Sequence, residues 1–196
     1  MSKARRQPLG VTPATSLTDD ELVSAIRVGN LSGLGTLFDR HGAGVRRLLL
    51  RLGVAPRDVD DLVQDTFLDC IVAAPSYQQG HSVRSWLFGI AVIVMRRHRR
   101  SIGRILQRAQ EWAAKHVEPR VATPVDELEW SQEAQRGERA LAKLSPKKRA
   151  AFVLVVLEEL SGDEAAIALG VPVATVWTRV HYARREMTHF LELDPR

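Results

Sequence analysis

Residues 163–185, DEAAIALGVPVATVWTRVHYARR, decide the fold. Asp163 to Leu169 is a short run of small and apolar residues closed by Gly170, the residue type that ends helices most readily because it takes left-handed backbone angles without a Cβ penalty. Val171-Pro172 then opens a second helix, since proline's fixed φ suits a first helical turn. Two helices joined by so tight a turn must cross steeply. Val176, Val180, Ala183 and Met187 recur at helical spacing and form the inward face of the second helix, over 173–191. Thr175, Trp177, Thr178, Arg179, His181, Arg184 and Arg185 turn to its other faces. Hydroxyls and guanidiniums displayed this way suit base edges and flanking phosphates, the layout of a DNA-reading helix-turn-helix. Arg179 and Arg184 lead the candidates. The competing reading is an ordinary helical hairpin with a solvated polar face.

Working outward toward the N-terminus, Lys147, Lys148 and Arg149 add a second positive cluster, which favours the DNA reading. Ser145-Pro146 marks a helix start, followed by an apolar segment over 150–160. Leu128, Trp130, Leu141 and Leu144 supply the remaining apolar residues of this half. Further back, the core pattern weakens after Ser101, and Pro119 and Pro124 bracket a stretch with few large apolar residues, so an interdomain linker is expected over 101–127, its early part able to continue as helix.

The first half is helical as well. Thr18-Asp-Asp-Glu21 has the capping-box pattern and leads into Leu22, Val23 and Ile26. Helices are expected at about 31–52 and 57–73, divided by the breaker Gly53-Val-Ala-Pro56, and from 83 to 100 or beyond. Residues 1–16 show little periodicity and form a mobile arm. No stretch alternates as a strand does, so the fold class is all-α: two small helical domains, 17–100 and 128–196, joined by the linker 101–127, the second a helix-turn-helix.

Composition narrows the function. A net charge of +5 points to a polyanionic partner. No apolar run reaches the roughly 20 residues that span a bilayer, and the start MSKARRQPLGVTP lacks the apolar stretch of a signal peptide, so a cytoplasmic location is expected. The single cysteine, Cys70, excludes an intrachain disulfide and a cysteine-based zinc cluster and belongs on an apolar helix face. No nucleophile–base pair, phosphate loop or metal-ligand spacing occurs, so the chain is read as no enzyme, with no catalytic residue, no metal and no cofactor.

Charge is separated within the first domain. Asp58, Asp61, Asp65 and Asp69 form a strip along one helix, opposite an apolar face of Val59, Leu62, Val63, Phe67 and Cys70. With no histidine beside them these carboxylates suit solvent or a protein partner better than acid–base chemistry. From Cys70 through Gln110 there is then no acid at all, while Arg84, Arg96, Arg97, Arg99, Arg100, Arg104 and Arg108 accumulate. Such a run repels itself unless phosphates or solvent neutralise it. Tyr77 and the polar loop Gln78-Gln79-Gly80-His81-Ser82 precede it, with Trp86 and Phe88 beyond; aromatic rings beside arginines can hold unpaired bases. Trp86 shares an apolar face with Leu87, Ile90 and Val94, so a structural role suits it best and the loop is the stronger base-reading element.

Two separated segments together resemble the extracytoplasmic-function (ECF) class of bacterial sigma factors: Asp60-Asp-Leu-Val-Gln-Asp-Thr-Phe67 with Arg84-Ser-Trp-Leu-Phe-Gly-Ile-Ala91, and Leu144-Ser-Pro-Lys-Lys-Arg-Ala-Ala-Phe152 through Arg185. The likeness covers about 20–100 and 128–190 in the family's order. It implies that Asp61, Gln64, Asp65 and Phe67 dock on the clamp helices of the largest subunit of core RNA polymerase. It implies that the segment 77–100 opens and reads the promoter minus-ten element, through Tyr77, Gln79, His81, Ser82, Arg84, Trp86, Arg96, Arg97 and Arg100. The second domain would read the minus-thirty-five element through Thr175, Trp177, Thr178, Arg179, His181, Arg184 and Arg185, and sit on the flap of the second-largest subunit. Control by an anti-sigma factor, often membrane-anchored, is also implied. Ile93 stands where the family commonly has Asn, Trp177 where it has Lys or Arg, Thr178 where Ser is common, and Ala165-Ala166 replaces a frequent Glu-Ile-Ala pattern, so a divergent promoter sequence is expected. A two-domain repressor or response-regulator output protein would explain the second half but not the acidic helix followed by the arginine-rich one.

Overall fold

The protein was analysed as a computed structural model, which describes residues 17–113 and 132–193, with side chains over 17–104 and 135–193. The expected N-terminal arm, Leu128, Trp130, the linker beyond 113 and the side chain of Arg108 lie outside the described residues. Those described form eight α-helices and no strand.

Thr18 caps the first helix, α1 (Asp19–Arg27), as the sequence pattern predicts: its hydroxyl accepts from the Glu21 amide and the Glu21 carboxylate accepts from the Thr18 amide at 2.7 Å. Three acids in the first turn complement the helix dipole. Leu22, Val23 and Ile26 go into the core, and Gly29 ends the segment at φ +86°, a left-handed angle that glycine adopts freely. In α2 (Ser32–Arg51), Gly33 lies so near Leu22 that a Cβ there would come within 2.9 Å of its Cδ2; the missing side chain is what lets α1 and α2 approach. Pro56 then stands in the first turn of α3 (Pro56–Ala73), one residue earlier than the sequence pattern places the start. Cys70 is fully buried, and burial pushes its thiol up to about 11.

A 3₁₀ turn, Ala74–Ser76, and the loop to Ser82 lead into α4 (Val83–Ala113). This helix runs past residue 100, as the sequence pattern allows. It carries on through the first part of the predicted linker, because no Gly–Pro breaker interrupts 101–113. Leu87, Phe88, Ala91, Val92 and Val94 bury one side of it against α2 and α3.

The last four helices are α5 (Gln132–Lys143), α6 (Pro146–Phe152), α7 (Gly162–Leu169) and α8 (Val173–Leu193). Pro146 opens α6 as expected, although the Ser145 side chain makes no capping hydrogen bond. The apolar segment 150–160 is not one α-helix. After Phe152 it widens into a π-helical turn, Val153–Leu157, and ends with Glu159 at φ +57°, a sparsely populated angle for a side-chain-bearing residue. Ser161 and Glu164 form a second capping box that starts α7, and Gly170 ends it in the left-handed region at φ 63°, ψ 44°. Val176, Val180, Ala183 and Met187 are all buried, so the period read from the sequence gives the inward face of α8. α7 also lies along α4, which joins the two sets of helices into one packed body.

Candidate nucleic-acid interface

The loop before α4 is held from below. Tyr77 is only 3% exposed; its hydroxyl donates to the Asp20 carboxylate, with the His81 carbonyl as an alternative acceptor within reach, and its ring tilts against Trp86 with centroids 5.1 Å apart. Burial, and then the Asp20 carboxylate, push the Tyr77 hydroxyl well above its usual range. Arg27 reaches from the end of α1 to the carbonyls of Ala74 and Tyr77. Gln79 donates to Ser24 at 2.9 Å, and the Gly80 amide donates to Asp20 at 3.3 Å. The loop thus has a fixed base and an exposed crest of Gln78, Gln79, His81 and Ser82. Tyr77, predicted as a base contact, is corrected to a buried strut, because a ring in the core has no face to offer.

The arginines of α4 are engaged within the protein. Arg84 lies 4.6 Å over the Phe88 ring and binds the Glu158 carboxylate at 2.6 Å. Arg96 donates to the Leu169 carbonyl at 3.0 Å, Arg97 pairs with Asp69 at 2.9 Å, and Arg99 donates to the Leu52 carbonyl. Arg100 folds onto the Arg96 carbonyl of its own helix. Burial, then the neighbouring charges of Arg179 and Arg100, lower the Arg96 pKa below the ordinary guanidinium range. Trp86 is half-buried, and Ile93, at the position where the family carries an amide, is 55% exposed.

On α8, Trp177 is half-exposed and packs on the start of α7; a Cβ on Gly162 would come within 2.8 Å of its indole nitrogen. Its ring closes the helix-turn-helix corner, which accounts for an apolar ring in place of a cation. Thr178 donates to the Ala174 carbonyl, so its hydroxyl is partly spent on its own helix. Thr175 and Arg179 are half-buried, while His181, Arg184 and Arg185 are exposed. Lys148 pairs with Glu186 and lies over the Tyr182 ring.

A third surface is formed by α2 and α3. Asp61, Gln64 and Asp65 are exposed on α3, with Arg46 holding Asp60 at 3.0 Å beside them. Phe38, Asp39, Gly42, Ala43, Val63 and Gln64 line part of a groove of about 390 Å³ between α2 and α3. Phe38, 43% exposed, and Leu68, 58% exposed, add an apolar shoulder that the sequence reading missed; both sit on the outer side of an amphipathic pattern, where an apolar residue was the available signal. Phe67, predicted to face a partner, is instead 3% exposed and packs tilted against Phe38 with ring centroids 5.0 Å apart, so it supports that shoulder from within.

The sequence reading also missed Glu158, 1% exposed and ringed by Arg51 at 2.7 Å, Arg84 at 2.6 Å and Arg47 at 3.7 Å. Its signal is a carboxylate inside an otherwise apolar run, VLVVLEEL over 153–160.

Comparison with known proteins follows the same division. Residues 37–105 match the family Sigma-70 region 2, and residues 136–187 match Sigma-70, region 4. The RNA polymerase sigma factor CnrH of Cupriavidus metallidurans is 31% identical over 90% of this chain and 95% of its own. The ECF RNA polymerase sigma factor SigM of Mycobacterium tuberculosis is 29% identical over 94% of this chain and 93% of its own. The solved structure of CnrH in complex with the cytosolic domain of CnrY superposes with a TM-score of 0.63 at 28% identity, covering 90% of this chain and 99% of that one. The sigma factor RpoE of Bartonella quintana, solved with the anti-sigma factor NepR, shares the fold with a TM-score of 0.67 at 24% identity, over 82% of this chain and 98% of that one.

Proposed function

This chain belongs to the ECF class of bacterial RNA polymerase sigma factors, and from that premise we propose how its surfaces are shared among partners. As a sigma factor it binds core RNA polymerase and directs it to promoters. Residues 17–100 act as the region 2 domain, 101–127 as linker and 128–196 as the region 4 domain. Asp61, Gln64 and Asp65, with the apolar shoulder of Phe38 and Leu68, dock on the clamp helices of the largest subunit. The observation that carries this is the coincidence of exposed acids, an amide and exposed apolar side chains on α2 and α3, with Arg97 of α4 reaching Asp65 at 3.9 Å at its border. Protein–protein surfaces are depleted of charge at their centre and polar at their rim, and an apolar shoulder beside exposed acids supports that reading.

The crest Gln79, His81 and Ser82 reads unpaired minus-ten bases, while Arg84, Arg96, Arg97 and Arg100 take the backbone phosphates. Thr175, Arg179, His181, Arg184 and Arg185 address the minus-thirty-five element, and the region 4 domain also sits on the polymerase flap. The protein works in the cytoplasm, adds specificity and strand opening, and leaves the chemistry of RNA synthesis to the polymerase. No helix among the described residues is long and apolar enough to cross a membrane. By likeness to RpoE with NepR, an anti-sigma factor, often membrane-anchored in this family, controls it.

Asp61→Ala with Gln64→Ala tests the division of labour. Affinity for core polymerase should fall by about 1 to 2 kcal/mol, as for truncating interface contacts, while binding of the region 4 domain to minus-thirty-five DNA stays unchanged. Equal loss of both would reject the assignment.

A further inference from the structure

Val176, Val180, Ala183 and Met187 fix the inward side of α8. At about 100° per residue, the line opposite them runs through Thr178, Tyr182 and Arg185, and all three are exposed. Arg179, half-buried, and Arg184 stand on the two flanks of that line. The middle of the outer face is therefore an aromatic ring to which the charge pattern gives no role. Tyr182 is 48% exposed, and its ring has a neighbour on two sides. The His181 ring meets it edge-on with centroids 5.5 Å apart, and Lys148 of α6 lies 6.0 Å from its centroid. Lys148 is matched by Glu186, so the α6 side of the ring is close to neutral and suits a base edge better than a phosphate. Thr178 has the same character. Its hydroxyl donates to the Ala174 carbonyl at 2.8 Å, which turns the oxygen back along the helix and leaves the methyl group to meet a partner.

We propose, resting on the minus-thirty-five role given above, that Tyr182 with the Thr178 methyl reads the C5-methyl of a thymine and so selects a T·A pair within that element. In the major groove the thymine methyl is the one apolar mark among base-edge donors and acceptors. A ring and a methyl group on one helix line match it where a guanidinium would not. The Tyr182 hydroxyl, at the far end of the same ring, can accept from the adenine amino group of a neighbouring pair. Spacing agrees. Thr178 and Tyr182 are four residues apart, about 6 Å of helix rise, so they address neighbouring base steps of about 3.4 Å. Arg185, further along the same line, keeps a charge for the backbone beyond.

Binding selection from a library of random-sequence DNA duplexes, with the full chain bound to core polymerase, tests the assignment. The wild-type holoenzyme should enrich an upstream element with a fixed thymine at one position. Tyr182→Ala should lose that preference and bind the enriched duplex about tenfold more weakly, whereas Tyr182→Phe, which keeps the ring, should retain the thymine. Both variants should keep the wild-type helix content, since Tyr182 lies outside the core. Deoxyuridine in place of the thymine removes the methyl group alone. It should weaken wild-type binding about fourfold, the transfer value of one methyl group, and leave Tyr182→Ala unaffected. The deoxyuridine result is read on the wild type and needs no variant to fold. A Tyr182→Ala chain that enriches the same thymine, or a wild type indifferent to deoxyuridine at every thymine of the element, would overturn the assignment and leave the minus-thirty-five role standing. A wild-type holoenzyme that enriches no upstream element would overturn both.

Discussion

α4 and α8 both carry the arginines expected of a nucleic-acid surface, yet they hold them in opposite conditions. On α8, Arg184 and Arg185 are exposed and make no ion pair among the described residues. On α4, Arg84, Arg96, Arg97 and Arg99 are each tied to a carboxylate or a helix-end carbonyl. A count of positive charges gives α4 the stronger claim to DNA, and the count misleads. What sets availability is the free energy needed to remove each guanidinium from its present partner. Arg184 and Arg185 of α8 are open to solvent, whereas Arg84 and Arg96 of α4 must first give up their partners inside the protein.

The largest effect that would break this contrast comes from Glu158→Ala. Removing one member of a buried pair leaves the arginines facing no carboxylate, and the expected loss is about 3 kcal/mol, the lower end for such pairs because Arg47 and Arg84 keep contact with solvent. Urea unfolding of the full chain measures it. A loss no larger than that of a surface pair would mean that α4 is as free as α8.

Arg179→Ala sharpens the other side. It should weaken minus-thirty-five binding by about 1 to 3 kcal/mol if the guanidinium meets a base edge, with discrimination lost at one position. Titration against a matched and a scrambled duplex decides the matter, since a uniform loss marks a phosphate contact.

Gly53→Ala should cost about 1 to 2 kcal/mol for the left-handed angle of φ +87° at the end of α2. The added methyl would also lie 2.8 Å from Arg149 Nη1 and 3.2 Å from Arg99 Nη2, disturbing both arginines that cap α2. Thermal unfolding at two salt concentrations checks this. An unchanged midpoint would show that these arginines do not hold the junction.

The smallest effect concerns Asp19. Burial raises its pKa, but the hydrogen bonds and charges of Arg40 and His41 outweigh that and leave it below the usual carboxylate value. A carboxyl depressed in the folded state stabilises above its unfolded pKa, and that stability fades as pH falls through the folded value. Asp19→Asn should therefore lower stability slightly at neutral pH and flatten the acid limb below about pH 4. Parallel pH titrations of stability would refute this if the two limbs coincide.

Local chemistry was legible in the sequence; partnership across long separations was not. The Thr18–Glu21 capping box, the Gly170 terminus and the buried face Val176, Val180, Ala183 and Met187 all follow from spacings of three or four residues. The Arg51–Glu158 and Arg84–Glu158 bonds join residues 107 and 74 positions apart, and no periodicity encodes them. Tyr77 shows the same limit. Its loop position suggested a base contact, but Asp20 and Trp86 draw it into the core. The π-helical turn at Val153–Leu157 escaped because an apolar run is equally consistent with an unbroken α-helix until the placement of Glu158 is known.

The central claim is that this chain directs polymerase to two-part promoters through the crest before α4 and the exposed face of α8. The most direct measurement is transcription of fragmented genomic DNA from the source organism by core polymerase, with and without the protein, mapping RNA 5′ ends. The account predicts discrete new starts preceded by two shared elements, with Arg179→Ala selectively weakening starts that depend on the upstream one. An active core enzyme that gains no new starts on addition of the protein would contradict it.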